Sequence, residues 1–577
     1  MFFIKSKLVL SRELHIGNLL LGGKNPVRVQ SMTNTNTMDT AATVSQTLQL
    51  ATAGCDLVRI TARNVAEAEN LRKIKQALAE KNCFVPLVAD IHFQPRAAEV
   101  AARIVEKVRI NPGNYVDKIS SGAKKIIYSE NQYVKELEDI SNRLKPLLGI
   151  CREYGTAIRI GVNHGSLSER VVSRYGDTVE GMVVSAMEYI DICRYHGFHN
   201  LVLSMKSSDV KTMIYAYRQL VLRMTESGYD YPLHLGVTEA GAGKYARIKS
   251  GAGIGLLLME GIGDTIRVSL TENPVHEVPV ALSLVKAFSA AKKNSAPSPK
   301  RAYEKQETIN IGTIGGEQQP VCIFAGIEAK SCKEPMPDFY WNKDGQCLTS
   351  PDNQQTVGLV YVDSKDLDDT GFLKKSCGEI PRVLFFDIGS TGDLPALREK
   401  LTAWRQRGNN WPLILYKKYF VNTEEMVTLA PAEMACFLAD GAGDGICIDS
   451  DDDACELTSL MFGILQTMGL RRTRAEFIAC PTCGRTSYNV EGTLELITRE
   501  LSHLKHLKIG VMGCVVNGPG EMADADYGYV GASAGKINLY RKKQVVLKNI
   551  DESEALEALI RLIREDGKWT EPLLPDK

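Results

Sequence analysis

Three cysteines near the C-terminus have the residue type and spacing to hold a metal group. Cys480 and Cys483 form a C-x-x-C pair in Cys480-Pro481-Thr482-Cys483-Gly484-Arg485-Thr486, directly after the apolar run Phe477 to Ala479. Cys514 follows a second such run, Leu507 to Met512, thirty-one residues after Cys483, and opens Cys514-Val515-Val516-Asn517-Gly518-Pro519-Gly520-Glu521. Both runs read as strands, so the three thiolates are expected on neighbouring strand ends. A closed structural zinc site wants four sulfur or imidazole ligands, and neither Cys nor His follows Cys514. Thiolates also hold iron–sulfur clusters, where three of them leave one iron for another ligand. Glu521 is the nearest candidate, carried back by the turn through Gly518, Pro519 and Gly520. A carboxylate exchanges on iron more readily than a thiolate, leaving a place for a substrate oxygen. Spacing alone also admits a zinc site with one non-Cys ligand, or a redox C-x-x-C pair with Cys514 merely buried.

A second set of reactive residues lies in the N-terminal half. Four segments read apolar-Arg-apolar-small: Val58-Arg59-Ile60-Thr61, Val108-Arg109-Ile110-Asn111, Ile158-Arg159-Ile160-Gly161 and Ile266-Arg267-Val268-Ser269. Strand alternation puts Arg59 with Thr61, and Arg109 with Asn111, on one face. Four guanidinium groups gathered on an interior face need anions to accompany them, and each offers a planar fork suited to phosphate. Asn163 and Lys206, after two further strands, add donors. The competing assignment points each Arg outward or pairs it with Asp56, Asp90, Asp264 or Glu239. Glu239, in the Gly-rich run Gly236-Val237-Thr238-Glu239-Ala240-Gly241, is placed to act as acid or base, or as counter-ion to the arginines. Asp90 and His92 offer a metal pair or, more simply, hydrogen bonds at the mouth.

The elements that must position these residues follow from periodicity. After a β-hairpin ending at Gly22-Gly23, eight β-type runs alternate with helical stretches: Val27–Met32, Leu57–Thr61, Pro86–Ile91, Lys107–Ile110, Ala157–Val162, Asn200–Met205, Pro232–Val237 and Thr265–Leu270. Segments such as Val65–Glu80 and Met182–Tyr195 carry apolar residues at helical spacing, and Tyr133–Arg143 adds a helix in the longer connection after Val116. Eight such alternations predict a (β/α)8 TIM barrel over 1–290, with working residues at the C-terminal strand ends. A polar, Pro-interrupted linker is expected over 291–307.

An inserted α/β domain is expected over 308–474. At an offset of 180 residues, Leu258-Met-Glu-Gly261-Ile-Gly263-Asp264 lines up with Leu438-Ala-Asp-Gly441-Ala-Gly443-Asp444, and Tyr231-Pro232-Leu233 with Trp411-Pro412-Leu413. Cys447 stands where Arg267 was and Tyr419 where Glu239 was, so this domain reads as a degenerate barrel that keeps packing residues and has lost ligand groups. Its early cysteines, Cys322, Cys332 and Cys347, lack metal spacing. From 475 to 577 a compact α+β domain carries the cysteines, with helices near Glu491–Leu504 and Glu552–Arg564 and β runs near Tyr527–Val530, Lys536–Tyr540 and Gln544–Leu547.

Composition narrows the class. The 577 residues hold 69 Lys plus Arg against 69 Asp plus Glu, so no global field favours nucleic acid or an acidic membrane surface. Fourteen scattered cysteines fit free thiols plus one metal group rather than a secreted disulfide scaffold. Met1 to Leu10 lack a signal-peptide core or transit-peptide character, and no run approaches the roughly twenty apolar residues of a membrane span, so a cytoplasmic location is expected.

These motifs resemble the 4-hydroxy-3-methylbut-2-enyl diphosphate synthase family, also called IspG or GcpE, of the methylerythritol phosphate route to isoprenoids and terpenoids. The resemblance rests on Gln30-Ser31-Met32-Thr33-Asn34, Arg109-Ile110-Asn111-Pro112-Gly113-Asn114, Arg159 through Ser166, His234 through Gly241, and the C-terminal Cys/Glu constellation. The middle insertion is similar to the three-domain form of that family. The resemblance implies one [4Fe–4S] cluster per chain on Cys480, Cys483 and Cys514, with Glu521 as fourth ligand. It implies a barrel that binds 2-C-methyl-D-erythritol 2,4-cyclodiphosphate through Arg59, Arg109, Asn111, Arg159, Asn163, Lys206, Thr238, Arg267 and Ser269, with Glu239 and Glu521 near the reacting atoms. Two electrons delivered singly by ferredoxin or flavodoxin would open the cyclic diphosphate and remove a hydroxyl as water. A zinc-stabilised barrel enzyme acting without redox chemistry on a phosphorylated substrate is the alternative. Oligomeric state, monomer or homodimer, is left open.

Overall fold

The computed structural model describes residues 10–572 apart from 117–126, 290–297, 299, 301, 327–334, 344, 353, 370–381 and 516–517. Most of the expected linker, together with Cys332, Val516 and Asn517, lies outside the described residues. The chain divides into two compact units. One takes in Val9–Arg247, Ile262–Val285 and Arg474–Lys577; the other takes in Ile248–Gly261 and Lys286–Thr473.

In the first unit eight parallel strands form a barrel. In order around it they are Arg28–Met32, Leu57–Ala62, Leu87–Ile91, Lys107–Ile110, Ala157–Asn163, Leu201–Lys206, His234–Leu235 and Thr265–Ile266, with the last paired back onto the first. A bridge between Leu203 and Leu233 closes the ring. The two last strands are shorter than their apolar runs suggest because their backbone leaves the ladder. The Leu270 N–H goes to the Glu277 carboxylate and the Thr271 N–H to the Gly241 carbonyl. Both segments therefore become loops at the mouth, carrying Glu239 and Ser269. The helix expected over Tyr133–Arg143 runs from Glu130 to Tyr154, opened by a reciprocal Ser129–Gln132 cap and ended by Gly155 in the left-handed region.

The expected hairpin, Leu14–Ile16 with Leu19–Leu21, lies against the opposite end of the barrel. Leu14, Ile16 and Leu21 pack on Leu57, Val88, Ala157 and Val202, from the second, third, fifth and sixth strands. This apolar floor seals the barrel from below, so its polar interior opens only where the arginines lie.

The C-terminal part of this unit is a five-stranded sheet: Glu476–Ala479, Lys508–Met512 and Tyr527–Ser533 parallel, then Lys536–Arg541 and Gln544–Asp551 antiparallel. Period-two alternation divides its faces. Phe477, Ala479, Ile509, Val511, Tyr527 and Tyr529 meet the helices Val490–Leu501 and Glu552–Glu565, while Ile478, Met512 and Val530 meet Met522 and Ala525. Cys480 and Gly513-Cys514 directly follow two adjacent strands, as the apolar runs predict.

Among the described residues the second unit contains a closed barrel of seven strands: Val321–Phe324, Phe339–Trp341, Cys347–Thr349, Thr356–Val362, Val383–Asp387, Leu413–Lys418 and Gly445–Asp449. Two antiparallel pairings, through Cys347–Thr349, interrupt the parallel order. Phe339, Trp341, Phe385, Tyr416 and Cys447 fill its interior, so the position aligned with Arg267 is a buried apolar contact. The Tyr419 hydroxyl donates to Glu433. Cys455 is disulfide-bonded, so the expectation of free thiols throughout fails there.

The 180-residue offset is visible in the packing of this unit. Glu260 and its equivalent Asp440 both clasp the buried Arg398. A Cβ on Gly251 would stand 3.4 Å from the Cβ of Pro431, the residue at the equivalent position.

The floor of the first barrel gives a stability test. Ile16→Ala removes a fully buried side chain and is expected to cost about 2–5 kcal/mol, read as a lower urea midpoint by circular dichroism. An unchanged midpoint would mean that the hairpin does not close the barrel.

Candidate active site

One cavity gathers the arginine set and the cysteine set. It is lined from the barrel by Arg59, Arg109, Arg159, Asn163, Lys206, Thr238, Glu239, Arg267 and Ser269, and from the C-terminal sheet domain by Cys480, Cys483, Cys514 and Glu521. Barrel and cysteine-bearing domain thus meet within a single chain. Asn111 stands apart. It caps the helix Pro112–Tyr115 through the Gly113 N–H and donates to Ser166 Oγ at 3.1 Å, so it shapes the loop behind the mouth.

The two halves are joined by direct contacts. Ala240 pairs with Ala479 as a parallel bridge, and the Ala479 N–H donates to the Glu239 carbonyl at 3.2 Å. Thr271 Oγ donates to the Cys480 carbonyl at 2.9 Å, Asn34 Nδ2 to Thr482 Oγ1 at 3.2 Å, and Asn163 Nδ2 to Glu521 Oε1 at 3.0 Å. Gly165 is needed here. Its φ is +81°, and a Cβ would strike the Gly520 carbonyl oxygen.

The mouth is over-supplied with positive charge. Arg267 is held by Glu277 through 3.1 and 2.9 Å bonds, and Glu277 also accepts from Ser31. Arg109 reaches Asp90 at 3.3 Å, the Gly161 carbonyl at 3.0 Å and Asn163 Oδ1 at 3.3 Å. A side chain on Gly161 would stand 2.5 Å from Arg109 Nε, so glycine is what lets Arg109 lie across that strand. Arg59 is left facing the thioether of Met32, at 3.0 and 2.8 Å, a weak acceptor for a cation. Arg159 is 1% exposed, and its Nε and Nη1 have no partner among the described residues. Burial pushes Arg59 down to about 10, and burial together with neighbouring cations lowers Arg159 and Lys206 well below their ordinary ranges. An anion placed among them would offset the burial and the mutual repulsion of these cations.

On the other wall Glu239 lies buried beside Glu521, with a backbone φ of +49° that few non-glycine residues adopt. Burial, and then the Glu521 carboxylate, pushes the Glu239 carboxyl well above the usual carboxylate range. His92 sits between Arg109 Nη1 at 3.0 Å and Asp90 Oδ2 at 3.3 Å, so the Asp90–His92 pair serves as mouth hydrogen bonding. Spacing in the sequence did not reveal Glu277, which lies ten residues beyond Arg267. Nor did it give a role to Arg485, although Arg485 adjoins the C-x-x-C pair.

The donor set suits a cluster. The Gly513 N–H donates to Cys480 Sγ at 3.1 Å and Arg485 Nε to Cys483 Sγ at 3.3 Å, so both sulfurs accept hydrogen bonds from the cavity wall. Among the described residues no three His, Cys, Asp or Glu side chains converge on a point as for a single ion. The three cysteines and Glu521 all line the one cavity, and thiolates with a carboxylate are a donor set that iron–sulfur groups accept.

Residues 11–282 match the GcpE TIM-barrel domain, and residues 476–565 match the GcpE protein C-terminal domain. The 4-hydroxy-3-methylbut-2-en-1-yl diphosphate synthase (flavodoxin) of Parabacteroides distasonis is 42% identical over 96% of this chain and 97% of its own. The chain belongs to the 4-hydroxy-3-methylbut-2-en-1-yl diphosphate synthase family. Further members of this synthase family are those of Akkermansia muciniphila, 44% identical over 98% of this chain and 97% of its own, and Protochlamydia amoebophila, 38% identical over 97% of each. Membership implies iron–sulfur oxidoreductase chemistry in isoprenoid biosynthesis and does not favour the zinc alternative. No described helix is long and apolar enough to cross a membrane.

The buried His92 gives a pH test. Burial, against the pull of Asp90, lowers it from 6.5 to about 4. Between those values the unfolded chain binds the proton that folded His92 refuses, so stability falls as pH falls through that window, by on the order of 3 kcal/mol. Urea unfolding from pH 7 to 4 should show a shallower loss for His92→Gln than for the native chain. Equal slopes would count against a neutral buried His92.

Proposed function

We propose that this chain reductively opens 2-C-methyl-D-erythritol 2,4-cyclodiphosphate to (E)-4-hydroxy-3-methylbut-2-enyl diphosphate. The observation that supports it best is the meeting of the barrel cations and the three cysteines around one cavity. A cyclic diphosphate matches the surplus of Arg59, Arg109, Arg159, Lys206 and Arg267 over Asp90 and Glu277, and guanidinium forks hold its phosphate oxygens bidentately. Thr238, Ser269 and Asn163 add neutral donors. Asn111 acts behind them, through Ser166.

A [4Fe–4S] cluster held by Cys480, Cys483, Cys514 and Glu521 would supply single-electron transfer at the wall facing the diphosphate. Two electrons from reduced flavodoxin, the donor for which the relatives are named, or from ferredoxin, enter one at a time. With two protons they yield the linear diphosphate and one water. Glu239, whose carboxyl is pushed well above the usual carboxylate range by burial and then by Glu521, is placed to give one of those protons to the departing hydroxyl. Asn163 spans the halves by touching both Arg109 and Glu521, so it registers diphosphate and carboxylate together. Water is kept out by the bridge at Ala240–Ala479 and by the contacts of Thr271 and Asn34.

Anaerobic purification should give about four iron and four sulfide per chain, and the reduced protein should convert the cyclodiphosphate when supplied with reduced flavodoxin. Stoichiometric zinc without a chromophore, even after anaerobic reconstitution, would overturn this reading. Glu239→Ala and Cys514→Ser should each lower kcat at least a hundredfold. An equimolar mixture of the two variants should stay inactive because cavity and cysteines belong to one chain. Recovered activity on mixing would mean that the halves work between chains.

A further inference from the structure

Arg485 belongs to neither the diphosphate set nor the cysteine set, yet it touches both. The turn that carries it is tight: the Cys483 N–H donates to Thr486 Oγ1 at 3.0 Å, and the Thr486 N–H donates to the Cys483 carbonyl at 2.9 Å. Gly484 lets that turn press on the barrel loop, since a Cβ there would stand 2.7 Å from the Thr35 carbonyl oxygen. The Arg485 side chain, only 7% exposed, is thereby driven into the cavity wall between the two domains.

Its three nitrogens divide the surroundings. Nε donates to Cys483 Sγ at 3.3 Å, Nη2 lies 3.6 Å from Asp90 Oδ2, and Nη1 is buried without a hydrogen-bond partner among the described residues. Asp90 is a shared counter-ion, already engaged by Arg109 and His92. The nearest acceptor that Arg485 has largely to itself is therefore the Cys483 sulfur. Arginine keeps its proton in proteins, so the guanidinium is cationic inside the wall. Hydrogen bonds to ligand sulfur and nearby positive charge are two of the levers that set the reduction potential of a thiolate-bound iron–sulfur group.

We propose that Arg485 is a positioning residue that sets the electron affinity of the group held by Cys480, Cys483 and Cys514, and that Asp90 orients it and partly offsets its charge. The inference rests on the cluster reading above. In each reduction step one electron leaves the reduced flavodoxin or ferredoxin and one negative charge is added at the cysteine-held group. The Arg485 cation and its Nε–H on Cys483 stabilise that added charge. Asp90, lying on the barrel strand Leu87–Ile91 whose neighbour carries Arg109, ties the same guanidinium to the diphosphate pocket.

The test is a mediated redox titration, followed by EPR, of the anaerobically reconstituted full chain and of Arg485→Gln, Arg485→Lys and Asp90→Asn. Arg485→Gln should take up an electron about tenfold less readily, a fall of about 59 mV for a one-electron couple. Arg485→Lys, which keeps the charge but loses the Nε–H, should fall by less. Asp90→Asn should shift the opposite way, because it removes the charge that offsets Arg485. A potential for Arg485→Gln equal to the native one would overturn the inference, as would shifts of the same sign in Arg485→Gln and Asp90→Asn, which a loosened domain contact would produce. If Arg485→Gln fails to assemble the group, the smaller fall in Arg485→Lys and the rise in Asp90→Asn decide. A native chain that binds no iron and sulfide would defeat the cluster reading itself, a failure distinct from native-like potentials in loaded variants.

Discussion

The burial of several guanidinium and ammonium groups at one end of a closed barrel is the constraint on which the rest of the structure depends. Like charges in a low-dielectric interior are costly to hold without anions. Asp90 and Glu277 balance part of that charge and are themselves placed by it. Glu277 spans Arg267, Ser31 and the Leu270 N–H, while Asp90 serves Arg109, His92 and Arg485. What they leave unbalanced faces the cavity. The apolar floor of Leu14, Ile16 and Leu21 over Leu57, Val88, Ala157 and Val202 blocks the other end, so the field opens in one direction only.

The cysteine-bearing domain closes that opening with chemistry of the other sign. Its parallel strands deliver Cys480 and Cys514 side by side, and the turn after Cys480 presents Cys483. Glu521 approaches from a short helix and meets Glu239 and Asn163. Two carboxylates brought together beneath a bridge between domains are costly unless one holds a proton or finds a cation. The strained φ at Glu239 adds to that cost. Charge surplus on one wall and carboxylate crowding on the other are each the kind of cost that a group of opposite sign offsets.

Much of this was legible in the chain. The hairpin, the eight strands and the three cysteines at strand ends followed from periodicity, because strand alternation and apolar runs are local properties. The repeated Arg motif placed Arg59, Arg109, Arg159 and Arg267 on one wall because side-chain direction in a strand is fixed by parity. Asn111 shows the limit of that rule. It lies just past its strand, where parity lapses, and its side chain turns to cap a helix instead. Glu277 and Arg485 act through contacts made by tertiary folding, at separations that carry no periodic signal. The reversed strand in the middle barrel was hidden for a related reason. Antiparallel Cys347–Thr349 reads like any other short apolar run, and only its partners reveal its direction.

The contact of Gly251 with Pro431 has a consequence of its own. When two identical surfaces meet about a two-fold axis, a residue on the axis touches its own copy, and any substitution there is made on both sides at once. Positions 251 and 431 lie together within one chain, so each can change alone. One is glycine and the other proline, and the glycine lets its segment approach the helix Thr423–Leu438 so closely that a Cβ would stand 2.4 Å from the Thr428 carbonyl oxygen. Glu260 and Asp440 have diverged likewise while still sharing Arg398. Residues 180 positions apart in one chain can thus differ singly, as residues matched across two copies of a chain cannot, and a shared partner such as Arg398 is then met by unequal side chains.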